Sequence, residues 1–358
     1  MLYKFKEGSL WGMINEKGQV VVKPIYLRIS DFIGDYALGT MDEKWFYINE
    51  EGNVVKRFNV NQMSLFNEGM AKMNLCGSIG YINKKFQVVI EPRYGLDSSC
   101  FNEGLALVCT PKINENKLYG FINQKGQQVI DFKYESAGVF SEGLAVVIAD
   151  DKYGAIDKSG KLIIENKYNW LNYFKEGRAF FEKDNLWGII DNKGNEIVQA
   201  SFEEDEDNSE HYIMQDFSEG FAVICQNNKY GYIDREGNIV TDIIYDYASS
   251  FNEGIALVRM DNKWFALDKF FNIIAGLHCQ ELRNFSDGLA AICVNGKWGF
   301  IDKIGDIVIE VKYNEVFYFN NGIAATVLDG KYGYIDKTGK EFFRAEKFCE
   351  EPYYCSIF

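Results

Sequence analysis

Apolar residues along the chain fall in runs of three to six, broken by two or three turn-forming residues, and no stretch holds them at i, i+3, i+4, i+7. That spacing predicts strands and tight turns throughout and no helix. The segment from Phe285 to Tyr313 is representative. Phe285-Ser-Asp-Gly288 opens it, Leu289 to Val294 make one run, Trp298 to Asp302 a second, and Asp306 to Tyr313 a third. Asn295-Gly296 in the first break tolerates the positive φ of a two-residue hairpin, and Gly305 in the second suits the left-handed position that closes a short loop. The unit reads as a three-stranded β-meander.

The same unit recurs along the chain. An aromatic residue, usually followed by Gly, opens the second run at Trp11, Trp45, Tyr119, Tyr153, Trp187, Tyr230, Trp264, Trp298 and Tyr332, with Ile79-Gly80 standing in once. Seven of the nine intervals are 34 residues; the other two are 40 and 43. A fixed period of this size marks a repeat architecture in which each unit buries its apolar face against its neighbours. The second-turn Gly recurs at 18, 52, 126, 160, 194, 237, 305 and 339, and Phe86 and Phe271 replace it in two units. Those two turns are expected to open or re-route.

Three further regularities bear on packing. The third run is apolar at consecutive positions, as in Val20-Val21-Val22 and Ile307-Val308-Ile309, which predicts cover on both faces. An Ala stands at one position of the first run (37, 71, 106, 145, 179, 222, 256, 290, 324), where a larger side chain would collide with an adjoining unit. The Gly after the aromatic is expected to leave a slot for a neighbouring unit's ring. In the first unit Phe5-Lys-Glu-Gly8 lies close before Trp11, so residues 1–22 read as a degenerate cap without a first strand, and 340–358 as a C-terminal cap or tail.

Composition narrows the function. Lys and Arg number 38 against 52 Asp and Glu, a net charge of −14, which repels a phosphate backbone and argues against nucleic acid. Two His leave little for a metal site or a His-based catalytic pair. The eight Cys form no C-x-x-C, and Cys109, Cys225 and Cys293 share one register of the repeat, so they read as reduced thiols. No signal-like or spanning apolar segment is seen, which gives an expectation of a cytoplasmic protein off the membrane. Asp157, Asp191, Asp234, Asp268, Asp302 and Asp336 recur at the second turn, where Asp bonds its own backbone, and so read as turn residues rather than as a glycosidase pair. No enzyme and no cofactor are expected.

The regular rings are expected to be scaffold, and function to lie where regularity breaks. The larger break, Glu203, Glu204, Asp205, Glu206, Asp207 and Glu210, is an acidic inserted loop that could meet a basic partner, although it lacks calcium-loop spacing. The smaller break, Thr110 to Asn116, lengthens a hairpin.

Lys297-Trp-Gly-Phe-Ile-Asp-Lys-x-Gly305 together with Phe285-Ser-Asp-Gly-Leu-Ala290 resembles the bacterial WG-repeat family, also called KWG repeats, over nearly the whole chain. The resemblance implies a β-repeat scaffold of bacterial origin whose members generally lack a defined activity, and it carries over no catalytic residue. The expected fold is all-β, a single array over 1–358 of ten three-stranded units. Propellers of roughly four to eight blades of about 40–50 residues fit the arithmetic less well than an open, solenoid-like stack, so a β-propeller is the alternative. The expected function is non-catalytic binding of another protein along an elongated acidic surface. The alternative is a carbohydrate or cell-envelope module that uses exposed rings.

Overall fold

The computed structural model describes residues 2–111, 117–203 and 215–344. Every regular element among them is a β-strand, and they form ten sheets in chain order. Eight sheets have four strands rather than the three expected. In the ninth, a two-residue lead strand, Glu281–Leu282, pairs with the first strand Ala290–Val294, which pairs with the second, Lys297–Ile301, and that with the third, Ile307–Tyr313. Two residues are too short to leave a period in the sequence, so the lead strand was illegible there. A four-stranded antiparallel meander is the sheet type of a propeller blade, so at this level the alternative fits and the three-stranded solenoid unit is corrected.

The first unit is also corrected. Leu2–Glu7 is a first strand, registered Leu2↔Asn15 through Glu7↔Leu10, and Gly8 (φ 61) lies in its hairpin turn. Phe5-Lys-Glu-Gly8 therefore matches the Phe-x-Glu-Gly string without sharing its place in the sheet. Residues 345–358, most of the expected C-terminal cap, and residues 112–116 of the smaller insertion lie outside the described residues.

The Gly of the aromatic-Gly pair answers to its own sheet. A Cβ on Gly120 would lie 2.6 Å from the carbonyl oxygen of Ile130, and one on Gly299 would lie 2.6 Å from that of Ile309. There the third strand carries two extra residues, so Tyr119 pairs with Tyr134 but Phe121 with Ile130. This bulge presses a third-strand carbonyl onto the second strand, and only Gly leaves room. Where Phe stands instead, at Phe46 and Phe265, the third strands Val54–Phe58 and Ile273–Leu277 are two residues shorter and run past without that shift. The slot expected for a neighbouring ring is a slot for a bulge.

The chain forms two compact units that divide between Tyr173 and Phe174. Within each, apolar clusters join consecutive sheets. In the first unit, Tyr81, Ile90 and Tyr94 of one sheet pack with Ala106, Val108 and Ile122 of the next. In the second, Phe300, Ile309 and Tyr313 pack with Ala324 and Ile335. The recurrent Ala sits in this seam opposite a buried aliphatic, as in Ala106↔Ile122 and Ala324↔Ile335, where a larger side chain would strike the preceding sheet.

Both Phe-for-Gly turns keep their shape. Phe86 and Phe271 hold φ of 60° and 61°, and their N–H groups donate to Asn83 O (2.8 Å) and Asp268 O (2.9 Å), just as Gly126 donates to Asn123 O (2.9 Å). The turn Gly normally rests on the preceding sheet's third strand, with Gly126 over Ile90 and Gly160 over Ile130. Before Phe86 and Phe271 that third-strand position carries Lys56 and Thr241 in place of an aliphatic residue. The Phe86 ring fills the vacancy against Tyr47, Phe58 and Phe66, and Phe271 does so against Phe221, Tyr232 and Phe251.

Candidate functional site

Each repeat ring lies in a second strand, opposite a third-strand residue that is usually aromatic: Trp11↔Tyr26, Tyr119↔Tyr134, Tyr153↔Tyr168, Trp298↔Tyr313. Tyr230, Trp264 and Trp298 are buried; Trp11, Trp45, Tyr119, Tyr153, Trp187 and Tyr332 are half-buried. Several carry a cation from their own sheet. The Arg283 guanidinium lies 4.1 Å from the Trp298 ring centroid, and Lys6 lies 5.5 Å from that of Trp11.

The charged residues at the turn end of the sheets hold one sheet to the next. The Phe-x-Glu-Gly turn has positive φ at both central residues, 51° at Glu103 and 87° at Gly104. The Glu103 carboxylate accepts the N–H of Gly143 in the next sheet's turn (3.0 Å) and pairs with Lys158 of that sheet's second turn (3.0 Å). In the second unit Glu219 accepts from Gly254 (3.0 Å) and pairs with Lys269 (2.9 Å), and Glu253 accepts from Gly288 (2.8 Å). The residue before the turn carboxylate adds a bond to the next Phe carbonyl, from Asn252 Nδ2 before Glu253 to Phe285 O (2.7 Å) and from Ser286 Oγ before Asp287 to Phe319 O (2.6 Å).

This lattice sets the ionisation of the carboxylates. Partial burial pushes Glu103 up, but the Lys158 ammonium and the N–H of Gly143 override it and hold the carboxyl below the ordinary glutamate value. Arg235 and Gly220 do the same for Glu176. Asp157 is lowered by the Ser159 hydroxyl and Asp268 by the Asn272 amide, each within its own turn. Glu103, Asp157, Glu176, Asp191, Asp246, Asp268 and Asp336 are all displaced downward, whereas a general acid needs the opposite. No group of His, Cys, Asp and Glu among the described residues could hold a metal, and no helix is long and apolar enough to cross a membrane.

The surface feature that stands out is the outer edge of the third strands. Cover on both faces was expected there, but in Ile307-Val308-Ile309 the first two residues are 60% and 43% exposed and the third 3%. The next sheet's turn covers the strand only from its third residue on: a Cβ on Gly339 would lie 3.4 Å from the Ile309 side chain. The position opposite the buried second-strand aliphatic is an exposed aliphatic at Val20, Val54, Val88 and Leu162 in the first unit and at Ile239, Ile273 and Ile307 in the second. Third strands end their sheets, so among the described residues their outer backbone groups have no sheet partner. The sequence carried this signal as consecutive apolar residues, but their exposure depends on how far the next sheet reaches. Glu203 ends a third strand, Glu196–Glu203, while Glu204, Asp205, Glu206, Asp207 and Glu210 lie outside the described residues.

Comparison with known proteins gives a family. The family described as "WG containing repeat" matches nine segments: 11–45, 45–75, 79–110, 119–153, 153–187, 187–230, 230–264, 266–298 and 298–332. No curated protein matches the sequence. Among solved structures the chain is similar to a "eukaryotic initiation factor", with a TM-score of 0.54 at 11% identity over 96% of this chain and 95% of that one, a likeness of fold alone. Weaker likenesses are to the dihydro-heme d1 dehydrogenase NirN (TM-score 0.40, 12% identity, 90% and 73% covered) and to Kluyveromyces lactis Hsv2 (0.30, 9%, 75% and 90%).

Proposed function

Because the chain belongs to the WG-containing repeat family, we propose that it is a non-catalytic scaffold that docks another protein along the apolar outer edges of its third strands. The observation that carries this reading is the recurrence of exposed β-branched and aliphatic residues on strands that end their sheets. Such edges are normally charged, short or covered, and a row of them left apolar is a surface waiting for a partner. With a net charge of −14, the body around these edges favours a partner with a basic rim. Glu103, Glu176, Glu219 and Glu253 are committed to inter-sheet bonds and Asp157 and Asp268 to their own turns, which supports a binding module over a hydrolase. A glycan ladder built on the repeat rings finds little support, since each of those rings is half-buried or buried.

The test is a variant with Val54, Val55, Val88 and Val89 changed to Ser, four exposed positions on adjacent sheets. A partner captured by cross-linking in the native cells is identified, purified and titrated against both forms. The reading expects one-to-one binding by the natural protein and at least tenfold weaker binding by the variant, with the unfolding midpoint unchanged. Equal affinity for both forms would sink it.

A further inference from the structure

Five of the six tryptophans occupy the repeat position; the sixth, Trp170, lies in the lead strand Trp170–Leu171 and is 45% exposed. Its ring packs on Tyr153 of the preceding sheet, centroids 4.9 Å apart and 36° between planes. Three residues on, Tyr173 is 53% exposed.

The floor under Tyr173 is specific to this place. Ser30, Ser64, Ser99 and Ser249 each hold the first strand after their lead strand by accepting a backbone N–H, from Leu38, Lys72, Leu107 and Leu257. At the same position Gly138 stands in one sheet and Asn172 after the next lead strand. A Cβ on Gly138 would lie 2.4 Å from Cε1 of Tyr173, so the tyrosine ring rests on bare backbone. Asn172 Oδ1 accepts the Trp170 indole N–H (2.6 Å), which fixes the ring. Lys152 Nζ donates to Asn169 Oδ1 (2.6 Å) beside it. Gly138, Trp170, Asn172 and Tyr173 thus converge on one surface in which two open rings are fringed by amides and an ammonium.

We propose that this surface is a carbohydrate site, independent of the protein-docking edges, that takes a neutral pyranose oligosaccharide. The polarised C–H face of a pyranose lies on the electron-rich face of Trp170 or Tyr173, and Asn169, Asn172 and Lys152 meet its hydroxyls. The side-chain chemistry selects this ligand over two others. A cationic peptide would meet Lys152. A proline-rich peptide needs a groove between parallel rings, and here Tyr153 already occupies one face of Trp170.

The test is an array of immobilised neutral and acidic glycans, followed by titration of the best soluble hit through tryptophan fluorescence. Binding is expected for neutral pyranose glycans, weakened at least tenfold in Trp170→Ala and also in Gly138→Ser, which installs the residue found at Ser30, Ser64, Ser99 and Ser249 and displaces Tyr173 while leaving both aromatic side chains in the sequence. Tyr318→Ala, an exposed tyrosine elsewhere, should bind as the natural protein does. An empty array, binding that survives Trp170→Ala with the protein folded, or saturable binding of a polyproline peptide instead would overturn the assignment. None of these outcomes depends on the third-strand edges.

Discussion

At the scale of single residues, the departures from the repeat explain themselves in pairs. A phenylalanine at φ 60° bears about 1–2 kcal/mol of left-handed strain, and burying most of a phenyl ring offsets it with roughly 1.5–3 kcal/mol. The trade is worthwhile only where the preceding third strand leaves a gap, and Phe86 follows Lys56 as Phe271 follows Thr241. Phe86→Gly is therefore expected to cost about 1 kcal/mol, and Lys56→Ile added to it to recover most of that loss, since the new side chain would fill the same space. Urea unfolding of the two single variants and the double variant checks this, and strictly additive losses would separate the two positions.

The Phe-x-Glu-Gly turn and the Asp-Lys-x-Gly turn make sense only as parts of neighbouring sheets, and their bonds are pH-dependent. Glu176 accepts from the N–H groups of Glu219 (2.7 Å) and Gly220 (2.8 Å) and from Arg235 Nε (3.1 Å). Its carboxyl titrates below the ordinary value of 4.5, so the unfolded chain binds its proton at a higher pH than the folded one does. The lattice then adds stability fully above about 4.5 and loses it as pH falls through the lower folded value. Glu176→Gln should lower the unfolding midpoint at pH 7, and the gap from the natural protein should narrow progressively as pH falls below about 4.5. A gap that held constant would mean the carboxylate contributes shape and not charge.

For the molecule as a whole, the sheets follow one another in chain order, eight of them four-stranded, and the likeness to a solved structure across nearly the full chain is one of fold alone. The sequence by itself determined the all-β class, the period, the family and the two turns of each unit, because those rest on local chemistry that each residue carries with it. Only the tertiary structure decided the two-residue lead strands, the real first strand of the first unit, and the carbonyl bulge that the aromatic-Gly pair admits. It alone decided, too, which of three consecutive aliphatics stays in water. Those depend on where an adjoining strand or sheet begins and ends, and a hydrophobic run reads the same whether its neighbour covers all of it or stops two residues short.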